Sequence, residues 1–157
     1  MTTHRIVLTL LFVLAVAALS TSQDRRSADF ETLEGTWILD LNAPPTPPAQ
    51  LLTTFARGGT IVADGNNAQP VLRSPWHGVW ARRSYLDFTS TWRRWNFDAA
   101  GNFVGGNEFR MDINVDRALE TFSGTVEILT LDRAGAVTAS RSGTFGATRV
   151  NVRRPSL

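Results

Sequence analysis

The 157-residue sequence has no cysteine and no lysine, only two histidines (His4 and His77) and a single tyrosine, Tyr85. Without cysteine there is no disulfide, no thiolate nucleophile and no zinc or iron–sulfur site built on thiolates. Without lysine there is no Schiff base and no phosphate-loop lysine. Two histidines are too few for a histidine-rich metal site, so neither a metal nor another cofactor is expected. Gly-x-Ser-x-Gly, His-Glu-x-x-His and EF-hand patterns are also missing, and no pair of carboxylates is marked out by spacing.

All sixteen cationic side chains are arginine, set against fourteen acids for a net charge of +2. So small an excess makes no strong field for nucleic acid or for an anionic membrane. Nucleic acid is therefore not an expected partner.

Residues 1–22 read as a secretory signal. His4 and Arg5 precede the apolar run 6–18 (IVLTLLFVLAVAA), which is short for a bilayer span and is followed by small residues suited to cleavage. The destination expected is the periplasm or the outside medium, with no stable membrane insertion once the signal is removed. A polar segment, 23–32, leads into a domain over 33–152, and 153–157 form a tail.

In that domain the period is two, not 3.6. Strands are expected over 33–41, 51–57, 60–63, 78–83 continuing through a bend near Ser84 into 85–97, then 103–115, 122–132 and 137–150. Gly58-Gly59, Asp98–Asn102, Asp116–Glu120 and Asp132–Gly135 supply turns. Pro44-Pro45-Thr46-Pro47-Pro48 is a spacer that cannot enter a sheet interior. Connections this short impose antiparallel order. The expected fold is all-β: one eight-stranded antiparallel up-and-down barrel, with a two-sheet sandwich as the alternative.

Alternation places Trp37, Leu39, Phe55, Trp80, Phe88, Trp92, Phe103, Phe109, Met111, Val126, Ile128 and Phe145 inward. Ser90, Asn107, Thr130 and Arg141 share those faces. Such a set either lines an apolar pocket with a few fixed polar groups or fills the barrel as a packed core. The ligand contacts expected are Trp80, Phe88, Trp92, Asn107, Phe109, Met111 and Arg141. Arg141 needs an acid or an anionic ligand if it faces inward; a bulge near Gly143 would instead turn it to solvent. Arg93 and Arg94 fall on opposite faces, so they form no single patch. No catalytic residue is assigned, and His77, at a loop-to-strand junction, is the one weak candidate, with Asp64 or Asp87 to orient it.

Gly35-Thr36-Trp37 on the first strand resembles the Gly-x-Trp opening of the calycin group of lipocalins, fatty-acid-binding proteins and avidins. The resemblance implies that Trp37 closes one barrel end beneath a late arginine, here Arg149. A longer series covers most of the domain: Leu33-x-Gly35-Thr36-Trp37, Phe55-x-x-x-Gly59-Thr60, Ser74-Pro75-x-His77-Gly78-x-Trp80, Asp98-x-x-Gly101-x-Phe103 and Phe122-Ser123-Gly124-Thr125. It resembles small secreted bacterial lipocalin-like proteins of no established activity, and so implies fold and compartment without catalytic residues. The leading expectation is a barrel that binds a small, mostly apolar molecule in its interior. The alternatives are a barrel cyclase or isomerase of allene-oxide-cyclase or Diels–Alderase type, using His77, Tyr85, Asn107 or Arg141, and a filled interaction module binding through 44–48 and 64–77.

Overall fold

A computed structural model of the chain describes residues 32–66 and 72–153. The expected signal, nearly all of the polar segment after it and residues 154–157 of the tail lie outside the described residues, as do residues 67–71. The described part from Leu33 onward is one compact unit.

Eight strands follow in chain order: β1 (Gly35–Asn42), β2 (Ala49–Ala56), β3 (Thr60–Gly65), β4 (Trp76–Arg82), β5 (Asp87–Phe97), β6 (Phe103–Val115), β7 (Thr121–Leu131) and β8 (Val137–Arg149). Each pairs antiparallel with its chain neighbours, and β8 returns to pair with β1, closing the barrel. Closure leaves none of these eight strands with an open edge to pair with another chain.

The turns are built from local chemistry. Asp98 accepts the amides of Ala100 and Asn102 at 2.9 and 2.8 Å. Asp132 accepts those of Ala134 and Ala136, each at 2.9 Å. Asp116 likewise takes the amides of Glu120 and Thr121. Each carboxylate satisfies amides that the reversal of the chain would leave unpaired. Gly58 and Gly59 both hold positive φ between β2 and β3.

The strand pattern departs from the sequence reading in two places. Residues 83–86 interrupt the long fourth strand, so 76–97 is a hairpin, β4 and β5, closed by Arg83 and Ser84 amides on the Asp87 carbonyl. Phe103 faces outward, not inward. A register shift opposite Asn96 and Phe97 absorbs one residue, with Gly105 at φ +135°, and reverses the alternation at the start of β6. Phe103 then meets Trp95 and Phe97 on the outer wall.

The interior is filled for most of its length. Trp37 contacts Phe122 (ring centroids 4.7 Å apart), and Phe122 meets Phe55 (6.0 Å). Phe55 meets Trp92 (6.0 Å), Trp92 meets Phe109 (6.2 Å), and Phe109 meets Trp76 (4.1 Å). This aromatic spine joins the Trp37 end of the barrel to the Trp76 end. Ring pairs of this kind add about 0.5–1.5 kcal/mol each beyond the area they bury.

Candidate functional site: an arginine-lined cup at one mouth

The two ends of the barrel carry the same pairing of arginine over tryptophan, used differently. At one end the Arg149 guanidinium lies 4.1 Å from the centre of the Trp37 ring. Its Nε donates to the Leu119 carbonyl at 2.6 Å and its Nη1 to the Glu34 carbonyl at 2.7 Å. Trp37 Nε1 donates to the Leu33 carbonyl at 3.0 Å, and Leu33 is fully buried. Backbone acceptors take up the polar hydrogens, and that end is shut.

At the other end the Arg94 guanidinium lies 4.2 Å from the centre of the Trp76 ring. Among the described residues the mouth here is open, forming a cup of about 590 Å³. The end of β1 and the start of β2 contribute Leu41, Ala49 and Leu51, and Thr46 and Pro47 come from the proline-rich connection. Trp76 and Phe109, stacked at 4.1 Å, contribute aromatic surface. Arg73, Arg94, Asn96, Asn107 and Arg141 supply the polar part. Arg94 and Asn96 lie on the inward face of β5 because they share parity with Phe88, Ser90 and Trp92. Arg141 pairs with inward Ile128 across β8 and β7 and is not turned out by a bulge at Gly143.

The cup is electrostatically unbalanced. Its described lining holds three arginines and no carboxylate. Burial, then the charges of Arg73 and Arg141, push the Arg94 guanidinium down to about 9, against a smaller opposing pull from Asp64. It is still a cation at neutral pH. Arg94 has only long contacts, 3.4 Å from Nε and Nη2 to Asn107 Oδ1, an oxygen also held by Asn96 Nδ2 at 3.1 Å. Arg141 Nε and Asn96 Oδ1 are out of solvent with no hydrogen-bond partner among the described residues. A buried donor left unmet costs about 1–3 kcal/mol.

Of the ligand contacts expected from sequence, Asn107, Phe109 and Arg141 line this cup. Trp92 and Met111 are packed in the core, Phe88 is buried beside Trp80, and Trp80 is half-buried against Phe55. His77 is exposed on the outer face of β4, between Val62 and Arg93 on the neighbouring strands. Asp87 is engaged by Ser84 and by Asn114 Nδ2 at 2.6 Å, and Asp64 accepts the Gly65 amide. Tyr85 is exposed in the β4–β5 turn. Sequence reasoning missed Trp76, Arg73 and Arg94 as cup residues. Arg94 was legible through its parity with Trp92, whereas Arg73 sits in an irregular stretch that carries no period.

A second recess, about 540 Å³, lies on the outer wall against Trp95, Phe97, Phe103 and Leu131. Beside it Glu108, also outward-facing but only 3% exposed, is gripped by Arg93 Nε and Nη2, both at 2.5 Å, and by Arg110 Nε at 2.7 Å.

Comparison with known protein families, curated proteins and solved structures finds no match to this chain.

Proposed function

We propose that this chain is an exported, lipocalin-like binding barrel that holds a small, mostly apolar molecule in the cup at one mouth. Export rests on the pattern of residues 1–22, and the lipocalin-like assignment on the closed eight-strand meander with Arg149 over Trp37 behind Gly35. The observation that carries the binding role is the cup itself. Its 590 Å³ falls within the range of small-molecule sites, and Leu41, Leu51, Trp76 and Phe109 give it apolar surface beside a few convergent polar groups. The aromatic spine fills the middle of the barrel, which supports a site at the mouth over one in the interior. Binding is favoured over turnover because the described lining offers no carboxylate, histidine or tyrosine for proton transfer.

The test uses N-phenyl-1-naphthylamine, a neutral apolar fluorophore, and an Ala49→Phe variant that fills the cup. Wild type is expected to enhance the probe's emission saturably, and the folded variant, checked by its thermal transition, to lose that response. Equal enhancement by both proteins would remove the cup from the account. Mass spectrometry of the secreted protein checks export separately, by loss of the first 20 or 22 residues, after Ser20 or Ser22.

A further inference from the structure

The cup's polar groups are mismatched in a way that specifies more than an apolar guest. Three guanidinium groups share one recess whose described lining offers no carboxylate. Arg149, at the shut end, shows how the same side chain is treated when its role is structural: two backbone carbonyls accept its hydrogens at 2.6 and 2.7 Å. Among the described residues Arg94 has no such acceptor at short range, and the Nε of Arg141 has none at all. Stacking on Trp76 offsets part of the cost of enclosing Arg94, but the Nε of Arg141 has no such compensation, and an enclosed charge without a partner is costly.

We propose that the cup binds a monocarboxylate carrying an apolar chain. Its carboxylate pairs with the Nε edge of Arg141 and the guanidinium of Arg94, and the chain lies against Trp76 and Phe109. This rests on the cup being the binding site and adds the chemical class of its ligand. A planar carboxylate presents two oxygens, which matches the unmet Nε of Arg141 and the guanidinium of Arg94, held only by long bonds to Asn107. The apolar chain follows from Leu41, Ala49, Leu51 and the stacked aromatic pair on the remaining walls. Arg73, partly exposed, adds a third positive charge to the cup.

Isothermal titration of the full mature chain with octanoate, 1-octanol and octyl phosphate separates the alternatives. Octanoate is expected to bind at least about tenfold more tightly than 1-octanol, as charge-assisted pairing to one or two arginines implies. In Arg141→Gln, and independently in Arg94→Gln, that ratio should fall toward one. Thermal transitions confirm that each variant is folded. Equal affinity of wild type for octanoate and octanol overturns the proposal while leaving the cup as an apolar site. So does an octanoate preference that persists in both variants. Tighter binding of octyl phosphate than of octanoate replaces the carboxylate with a phosphate. If none of the three binds, the cup-binding reading fails, and this inference falls with it.

Discussion

At Gly35 the backbone holds φ +127°, a region that side-chain-bearing residues rarely enter. A Cβ there would stand 2.6 Å from Arg149 Nη1, inside the group that stacks on Trp37. Glycine is therefore required twice, by its own conformation and by the approach of the arginine. Gly35→Ala is expected to destabilise the protein by about 2–3 kcal/mol. Urea unfolding would show this as a lower midpoint at unchanged slope. An unchanged midpoint would mean that the shut end tolerates rearrangement. Gly124 is constrained in another way: a Cβ would lie 1.9 Å from the Asp112 carbonyl oxygen and 2.7 Å from the Phe145 ring, so close strand contact fixes its identity. At this scale the sequence was informative. Gly35-Thr36-Trp37 and Arg149 were legible as a unit through the resemblance to the calycin opening, which implies a late arginine over the tryptophan, and the two do meet.

At the scale of the strand, alternation and pairing decide what is seen. Alternation from inward Phe109 and Met111 puts Glu108, Arg110 and Asp112 together on the outer face of β6. What periodicity could not show is that Glu108 is buried there, because Arg93 arrives from β5, the strand paired with it. Burial is the largest single influence on Glu108 and pushes its carboxyl up. The hydrogen bonds and charges of Arg110 and Arg93 together outweigh it and hold the group below its ordinary 4.5. In the unfolded chain Glu108 takes up its proton first as pH falls. Its contribution is thus complete above 4.5 and disappears as pH drops through the lower folded value. Glu108→Gln is expected to cost about 1–2 kcal/mol at neutral pH, discounted because both arginines are more than half exposed. It should also flatten the loss of stability below pH 4.5. Parallel acid unfolding curves for variant and wild type would show that the cluster is not coupled to folding. Strand reading failed where register changes. Phe103 was placed inward because a period of two cannot anticipate the extra residue beside Gly105. The break at 83–86 was read as a bend because Arg83 and Ser84 carry no strong turn signal. Arg94 and Trp76 were missed for a related reason: the cup draws on β1, β2, β4, β5, β6 and β8, and only closure of the barrel brings them together.

On the scale of the whole molecule, a chain without cysteine has no disulfide to hold it, and closure with core burial does so instead. The aromatic spine from Trp37 to Trp76 supplies that core and occupies the volume in which an interior ligand was expected. What remains for a ligand is the mouth, where the packing ends and Arg94 and Arg141 are left short of partners. Both ends of the barrel use a guanidinium over an indole; one is closed by backbone acceptors and the other is open. That contrast is the basis for treating one end as structure and the other as a site. The five tryptophans report on each region separately: Trp37 at the shut end, Trp76 in the cup, Trp80 and Trp92 in the interior, Trp95 on the outer recess. The most direct measurement is a proton–nitrogen NMR titration of the ¹⁵N-labelled protein with octanoate, following the indole resonances. The account predicts a saturable shift of Trp76, with Trp37 and Trp95 stationary. A shift centred on Trp95, or on Trp37 and Trp80 with Trp76 unmoved, would contradict it.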